Sequence, residues 1–388
     1  MVMSRAHMHG HYKSLMLDTA AAFRRAAIPA RLLFFTSEGM PLPDDWRDQG
    51  CAVFPSIPWW VRIFSPATVR RVYRNQREHW TDLLIESFCC AWKAMRLRRQ
   101  FCFAAVLFLD GMTLVGSLFA ILCRCRVVYM CSVVFRYDDP HLPLIGRVLL
   151  RCIVPKALKT GRLMFFFKTP FGAEESRPAL GDHVVYIPEA VTLVDDLPTR
   201  EEARRRLGLA QDETVLLLFG AHRVTKDYRT VFQSAAMLTP RPLLLFVGPP
   251  GGNDPRAAAE ASGYTRCKMI IDFVPEKDVI LYFRCANAVI LPYVKTTEGG
   301  GSNVLMLAYK FDCPIIATHN IFFDYHIKRF HCGFQFSSGN AEELATCMRR
   351  IACLDKETER SLQEGLALAR QAHAWENVVS QYRALLGI

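Results

Sequence analysis

The stretch 287–320, NAVILPYVKTTEGGGSNVLMLAYKFDCPIIATHN, decides the fold. NAVILPY is an unbroken apolar run of the buried-strand kind. TTEGGGS then breaks every period, and Gly299, Gly300 and Gly301 put no Cβ between the backbone and a ligand. Ser302 suits the N-cap of a helix that begins at Asn303 and runs through NVLMLAYKF. Pro314 opens a second apolar strand, PIIAT. A glycine loop entering a helix N-terminus offers free N–H groups and the positive end of the helix dipole to an anion. Taken alone, the stretch fits either the phosphates of a nucleotide or an ordinary turn whose glycines take positive φ.

The surrounding half of the chain repeats the alternation. TVLLLFG, RPLLLFVG and KMIIDFV read as strands; RTVFQSAAML, PRAAAEASG and EKDVILYFRCA read as helices between them. Such alternation predicts a parallel sheet covered on both faces, with ligands at the carboxyl ends of its strands. That puts the loops GAHRVTK, GPPGGND and TTEGGGS on one edge and strengthens the phosphate reading. In the first of these loops, Gly220 is followed by Arg223 and Lys226. Two cations three residues apart suit a diphosphate: Arg grips two oxygens in a fork and Lys supplies a mobile charge. A solvated pair of basic residues is the alternative.

Upstream, TLVDDLPTREEARRRLGLAQDE reads as the join between two domains, with Thr199 as N-cap and Glu201 and Glu202 in the first helical turn. The first half carries strands ARLLFFT, FAAVLFLD, RVVYMCSVVF and VVYIPEAV. The helical pattern of 12–27 has only MVMS before it where a first strand should stand. Either the true start lies upstream or that strand is vestigial. His9 and His11 in HMHGH either face a cleft or are solvated. Asp110 closes a buried strand. Residues 66–100 read as basic helices bearing Arg70, Arg71, Arg74, Arg77, Arg96, Arg98 and Arg99. Residues 144–160, LIGRVLLRCIVPKALKT, are amphipathic and basic, fitting an anionic membrane surface or a solvated helix over the core.

Charge follows the same division. Residues 1–195 hold 25 Lys/Arg against 16 Asp/Glu, and residues 196–388 hold 23 against 21, so the formal net charge of +11 belongs mainly to the first half. Basic surface there suits lipid headgroups, an acidic substrate or nucleic acid. No zinc finger, basic zipper or RNA-binding signature accompanies it, so no nucleic-acid partner is expected. The 14 cysteines show no paired CxxC spacing and read as small buried hydrophobes in a reducing compartment. MVMSRAHMHGHYK has no apolar core of a signal peptide. The most apolar region, 101–135, is interrupted by Asp110, Arg124 and Arg126, so no transmembrane helix is expected. The expected location is cytoplasmic.

In chain order, VVYIPEAV, LPTREEARRRLGL, VLLLFGAHRVTKDYRTVFQSA, LLLFVG, DFVPEKDVILYFRCANAVILPY and GGGSNVLMLAYKFDCPIIAT resemble a family 4 (group 1) glycosyltransferase over about 184–388. The likeness over 1–183 rests on element order and HGH. The resemblance implies the GT-B fold: α/β, two Rossmann-like domains with parallel sheets facing a central cleft. The expected division is an acceptor-binding domain over 1–192, a nucleotide-sugar domain over 193–370, and a C-terminal helix over 371–388 packing back on the first domain.

The resemblance also implies an activity. A sugar, of hexosyl type, passes from a nucleotide-diphospho-sugar to a saccharide or lipid-linked acceptor with retention of anomeric configuration, in glycan or polysaccharide assembly. No metal or cofactor is required, and the basic half docks on the cytoplasmic membrane face. Arg223 and Lys226 match the family's diphosphate-binding cations, with Gly220, Gly299, Gly300, Gly301, Ser302 and Asn303 around the donor. Gly10 matches the glycine of the first loop. Glu298 and Asp110 are the candidate catalytic carboxylates. In the family's Glu-x7-Glu motif, counted from Pro314, the second Glu falls at Leu307 and the first at Gly299, so Glu298 fits with a shift of one residue. The family's active-site His falls near Ser132. These departures support a rival reading, a silent GT-B protein that binds a nucleotide sugar or partners an active transferase. A GT-B epimerase or hydrolase is a third, resting on His9, His11, Asp110 and Glu298.

Overall fold

The computed structural model describes residues 2–5, 19, 21–23, 25–28, 32–36, 51–55, 92, 95, 105–108, 113–123, 125–131, 134–138, 144–294 and 301–387. The chain divides into two compact units. One comprises Met1–Pro188 with Trp375–Ile388, the other Glu189–Ala374.

The first unit is built on seven parallel strands: β1 (Val2–Arg5), β2 (Leu32–Thr36), β3 (Cys51–Pro55), β4 (Ala105–Phe108), β5 (Arg126–Cys131), β6 (Leu163–Phe167) and β7 (Val184–Tyr186). They lie in the order β3-β2-β1-β4-β5-β6-β7. The first strand is therefore not missing. Val2–Arg5 is only four residues long, yet it stands in the middle of the sheet, paired with Leu32–Phe35 on one side and Leu107–Phe108 on the other. A strand this short has no periodicity of its own and is held by its neighbours' backbone hydrogen bonds. The core is apolar where the strands are buried on both faces: Val106, Phe108, Val127, Tyr129, Phe165 and Phe167 cluster together.

The second unit holds β8 (Val215–Phe219), β10 (Leu243–Val247), β12 (Cys267–Ile270), β13 (Ala288–Leu291), β14 (Ile315–Thr318) and β15 (Gly333–Phe336), with a two-residue ribbon β9 (His222–Arg223) against β11 (Pro250–Gly251). The six-stranded order is β12-β10-β8-β13-β14-β15, all parallel. In chain order this is third, second, first, fourth, fifth, sixth, the Rossmann arrangement. Connections leave β8 toward one edge and β13 toward the other, so the switch point lies between these two strands. Their carboxyl ends carry Gly220 and the glycine loop.

Thr199 caps the helix Arg200–Leu207 by accepting a hydrogen bond from the Glu202 N–H at 3.1 Å. At the far end, QAHAWENVVSQYRALL is not one helix. Lys356–His373 stops at Ala374, whose extended φ of -64° and ψ of 141° redirect the chain into a second helix, Trp375–Leu386. That last helix belongs to the first unit, where Tyr382 meets Phe23 and Phe166 with ring centroids 5.7 and 5.5 Å apart.

Candidate functional site

The edge of the second sheet is tied together by its own loops. Gly220 ends β8 with φ +85° and donates its N–H to Val247 O at 2.9 Å. Gly248 ends β10 at φ +146°, and a Cβ there would lie 2.5 Å from Gly220 O. The two strand ends therefore cross at glycine-only separation. Asn253 then joins the two loops, donating its N–H to His222 O at 2.9 Å and its side-chain amide to Lys226 O at 2.6 Å. The loop after β13 joins them too. Asp227 N–H donates to Pro292 O at 2.7 Å and Val294 N–H to Thr225 O at 2.9 Å. The first two of the loops that alternation placed on one edge meet there, joined by Pro292 and Val294 at the end of β13.

Lys226 is buried, 5% exposed. Its Nζ donates to Phe219 O at 2.7 Å and Gly220 O at 3.2 Å. Burial pushes the ammonium down to about 7, and the charge of Arg223 adds to the push. Arg223 is exposed on the β9 ribbon, so the two cations are not a matched fork: one is held inside, the other reaches from the surface. His222, the residue before Arg223, is fully buried and hydrogen-bonded through Nδ1 to the Tyr228 hydroxyl. Burial and then the Lys226 charge lower its imidazole to about 4, leaving it neutral at physiological pH.

The helix Asn303–Lys310 begins beside Gly220: a Cβ on Gly220 would meet Val304 Cγ2 at 3.3 Å and Lys226 Nζ at 3.8 Å. Ser302, buried, is its N-cap, accepting from Leu305 N–H at 3.4 Å. No acidic residue occupies the first turn, so the dipole's positive end has no side chain of its own helix to balance it. The N–H groups of Asn303 and Val304 have no acceptor within the helix. Tyr293 is half-buried against this corner. Burial raises its hydroxyl, partly offset by its hydrogen bond to Ser302 and the Arg223 charge. Gly301 is exposed.

Gly220, Lys226, Gly301, Ser302 and Asn303 thus come together, with Arg223 at the rim. Glu298, Asp110, Gly10, Gly299 and Gly300, like His9, His11 and Ser132, lie outside the described residues. Leu307 is half-buried on the helix. Sequence reasoning missed three members of the site: Tyr293, Gly248 and His222. Only Gly248 carried a signal, as the glycine ending an apolar strand. Among the described residues no group of three His, Cys, Asp or Glu is placed to hold a metal ion. A cavity of about 910 Å³ opens elsewhere, between Phe232, Gln233, Ser262, Ser337 and Asn340, and none of the candidate residues lines it.

Residues 199–365 match the family model of the glycosyl transferases, group 1. Known structures resemble the whole chain. HepE of Anabaena in complex with UDP-glucose aligns over 100% of this chain and 98% of its own, at 14% identity and a TM-score of 0.71. Sucrose-phosphate synthase from Thermosynechococcus elongatus aligns over 100% and 98%, at 15% identity and 0.72. A glycosyltransferase from Rickettsia africae aligns over 99% and 97%, at 12% identity and 0.72. The fold is GT-B. No curated protein matches the chain by sequence. The group 1 match spans the capped helix at Thr199, the Lys226 loop, the glycine loop and helix Asn303–Lys310, so the convergent loops lie inside it.

Proposed function

We propose that this GT-B protein is a glycosyltransferase that moves a sugar, of hexosyl type, from a nucleotide-diphospho-sugar to a saccharide or lipid-linked acceptor. Retention of configuration and a role in glycan or polysaccharide assembly are part of the same proposal, which the group 1 match supports. The observation that carries the reading is Lys226. A buried ammonium beside Gly220 and a helix N-terminus with no acidic residue in its own first turn, at a Rossmann switch point, support a diphosphate site. There Lys226 neutralises charge that grows on the leaving nucleoside diphosphate as the glycosidic bond breaks. Arg223 reaches the same anion from the rim. No metal is required in this scheme, because the cations and the helix end do its work.

The first test is a calorimetric and thermal-shift titration with UDP, GDP and their sugar conjugates. One nucleotide is expected to raise the melting temperature of the native protein. Lys226→Met with Arg223→Ala is expected to weaken it about a hundredfold while the unliganded protein stays folded. Undiminished affinity in that variant sinks the diphosphate site. Slow hydrolysis of the bound donor separates a transferase from a silent binder, the reading that the apolar Leu307 favours.

Membrane docking of the first unit rests on helix Leu144–Leu158. Gly146, Leu150, Val154 and Ala157 face the core, while Leu144, Ile145 and Val148 are exposed together with Arg151, Lys156 and Lys159. Residues 144–162 contain no acidic side chain. Apolar residues flanked by cations suit an anionic surface on the cytoplasmic side. Co-sedimentation with phosphatidylglycerol vesicles, lost on Ile145→Ser with Val148→Ser and absent with phosphatidylcholine alone, is the expected outcome. Retention by the double variant rules this helix out as the docking element.

A further inference from the structure

We propose that Glu189 contacts the bound donor, its carboxylate accepting hydrogen bonds from vicinal hydroxyls next to the diphosphate; this rests on the donor site argued above. Glu189 opens the second unit and is 7% exposed. Its Oε2 lies 3.5 Å from where a Cβ on Gly301 would stand. Gly301 immediately precedes the N-cap Ser302 and is exposed. The buried carboxylate thus stands behind the last glycine of the loop, with only a hydrogen atom's width of side chain between them.

The segment is held from behind. His373 Nδ1 donates to Glu189 O at 2.7 Å, and Val191 N–H donates to His373 O at 2.7 Å. His373 in turn stacks near His326 and Tyr309, with ring centroids 5.4 and 5.3 Å away. Burial lowers both imidazoles, that of His326 to about 3, so this cluster supplies packing and dipoles rather than positive charge.

The chemistry selects the contact. A carboxylate repels phosphate oxygens and accepts from hydroxyls, and such charge-assisted bonds are strong. A nucleotide sugar carries a polyol on each side of its diphosphate: the ribose and the transferred sugar. The helix NVLMLAYK that would hold the diphosphate has no acidic residue of its own. Glu189, distant in sequence, brings one to its N-terminal end.

Glu189→Gln and Gly301→Val, each in the full chain, test this against UDP and UDP-glucose, or GDP and GDP-mannose if the wild type prefers guanine. Gly301→Val keeps the carboxylate and screens it, so it serves if Glu189→Gln does not fold. The expected result is a roughly tenfold to hundredfold loss of affinity at unchanged melting temperature without ligand. Loss with UDP and UDP-glucose alike assigns the ribose; loss with UDP-glucose alone assigns the transferred sugar. Wild-type binding with both variants unchanged overturns the inference and leaves the donor site standing. No binding by the wild type overturns both.

Discussion

Lys226 concentrates the chemistry of the site into one titration. In the free protein its ammonium is pushed down to about 7, first by burial and then by Arg223. A bound diphosphate favours the charged form and raises that value again. Between the two values the complex holds a proton that the free protein lacks, so binding takes up a proton and affinity falls as pH rises from 7 toward 9. Below 7 the lysine is charged in both states and this dependence vanishes. A nucleotide sugar has no phosphate that titrates in this window, which isolates the protein's contribution. Calorimetry in buffers of different ionisation enthalpy is expected to show proton uptake at pH 8.5 and none at pH 6. Equal proton exchange at both values means that Lys226 is not on the anion. Stability has its own sign. A lysine depressed in the folded state leaves that state with fewer protons than the unfolded chain, so the unliganded protein gains stability as pH rises above 7.

The strand-to-loop corners decide whether these side chains meet. Ser302 as N-cap, the βα steps and the shared edge of the loops after β8 and β10 were legible in the sequence, because caps, glycine turns and apolar runs are local signals. The ribbon His222–Arg223 against Pro250–Gly251 was not legible, since it is two residues wide and depends on two loops crossing. The approach of Glu189 to Gly301 was equally hidden, because no local pattern marks a contact between remote segments. Strands Cys51–Pro55, Leu163–Phe167 and Gly333–Phe336 were not read from the sequence, although Ala288–Leu291, no longer than any of them, was. The tightest of the corners is Gly248 on Gly220. Gly248→Ala adds a Cβ 2.5 Å from Gly220 O at φ +146°, combining backbone strain with overpacking. A loss of about 3 kcal/mol or more in urea unfolding is expected, together with loss of nucleotide binding. Gly263 also has positive φ, +65°, but no atom lies within 4 Å of an added Cβ. Gly263→Ala is therefore expected to cost only about 1 kcal/mol and to leave binding intact. Equal costs at the two positions would show that φ alone, not the crossing of strand ends, makes Gly248 necessary.

At the scale of the molecule, the chain returns at its end to the unit it began in. The helix Trp375–Leu386 supplies Trp375, Val378, Tyr382, Leu385 and Leu386, all buried, to the first unit. Its sequence shows an amphipathic helix with packing aromatics, but where it packs depends on Ala374, whose extended backbone separates it from the helix before. That return couples the first unit's core to residues 375–386. Tyr382 is the keystone: its ring meets Phe23 at 5.7 Å, Phe166 at 5.5 Å and Trp375 at 5.8 Å. Tyr382→Ala removes a buried aromatic and leaves a cavity, a loss of about 3–5 kcal/mol. The proposed donor-site residues Gly220, Lys226, Ser302 and Asn303 all lie in the other unit. The variant is therefore expected to lower one calorimetric transition and to keep its nucleotide affinity, while added nucleotide raises only the transition that the mutation leaves in place. If ligand and mutation act on the same transition, the two units unfold as one, and the first unit's dependence on its C-terminal helix extends to the whole chain.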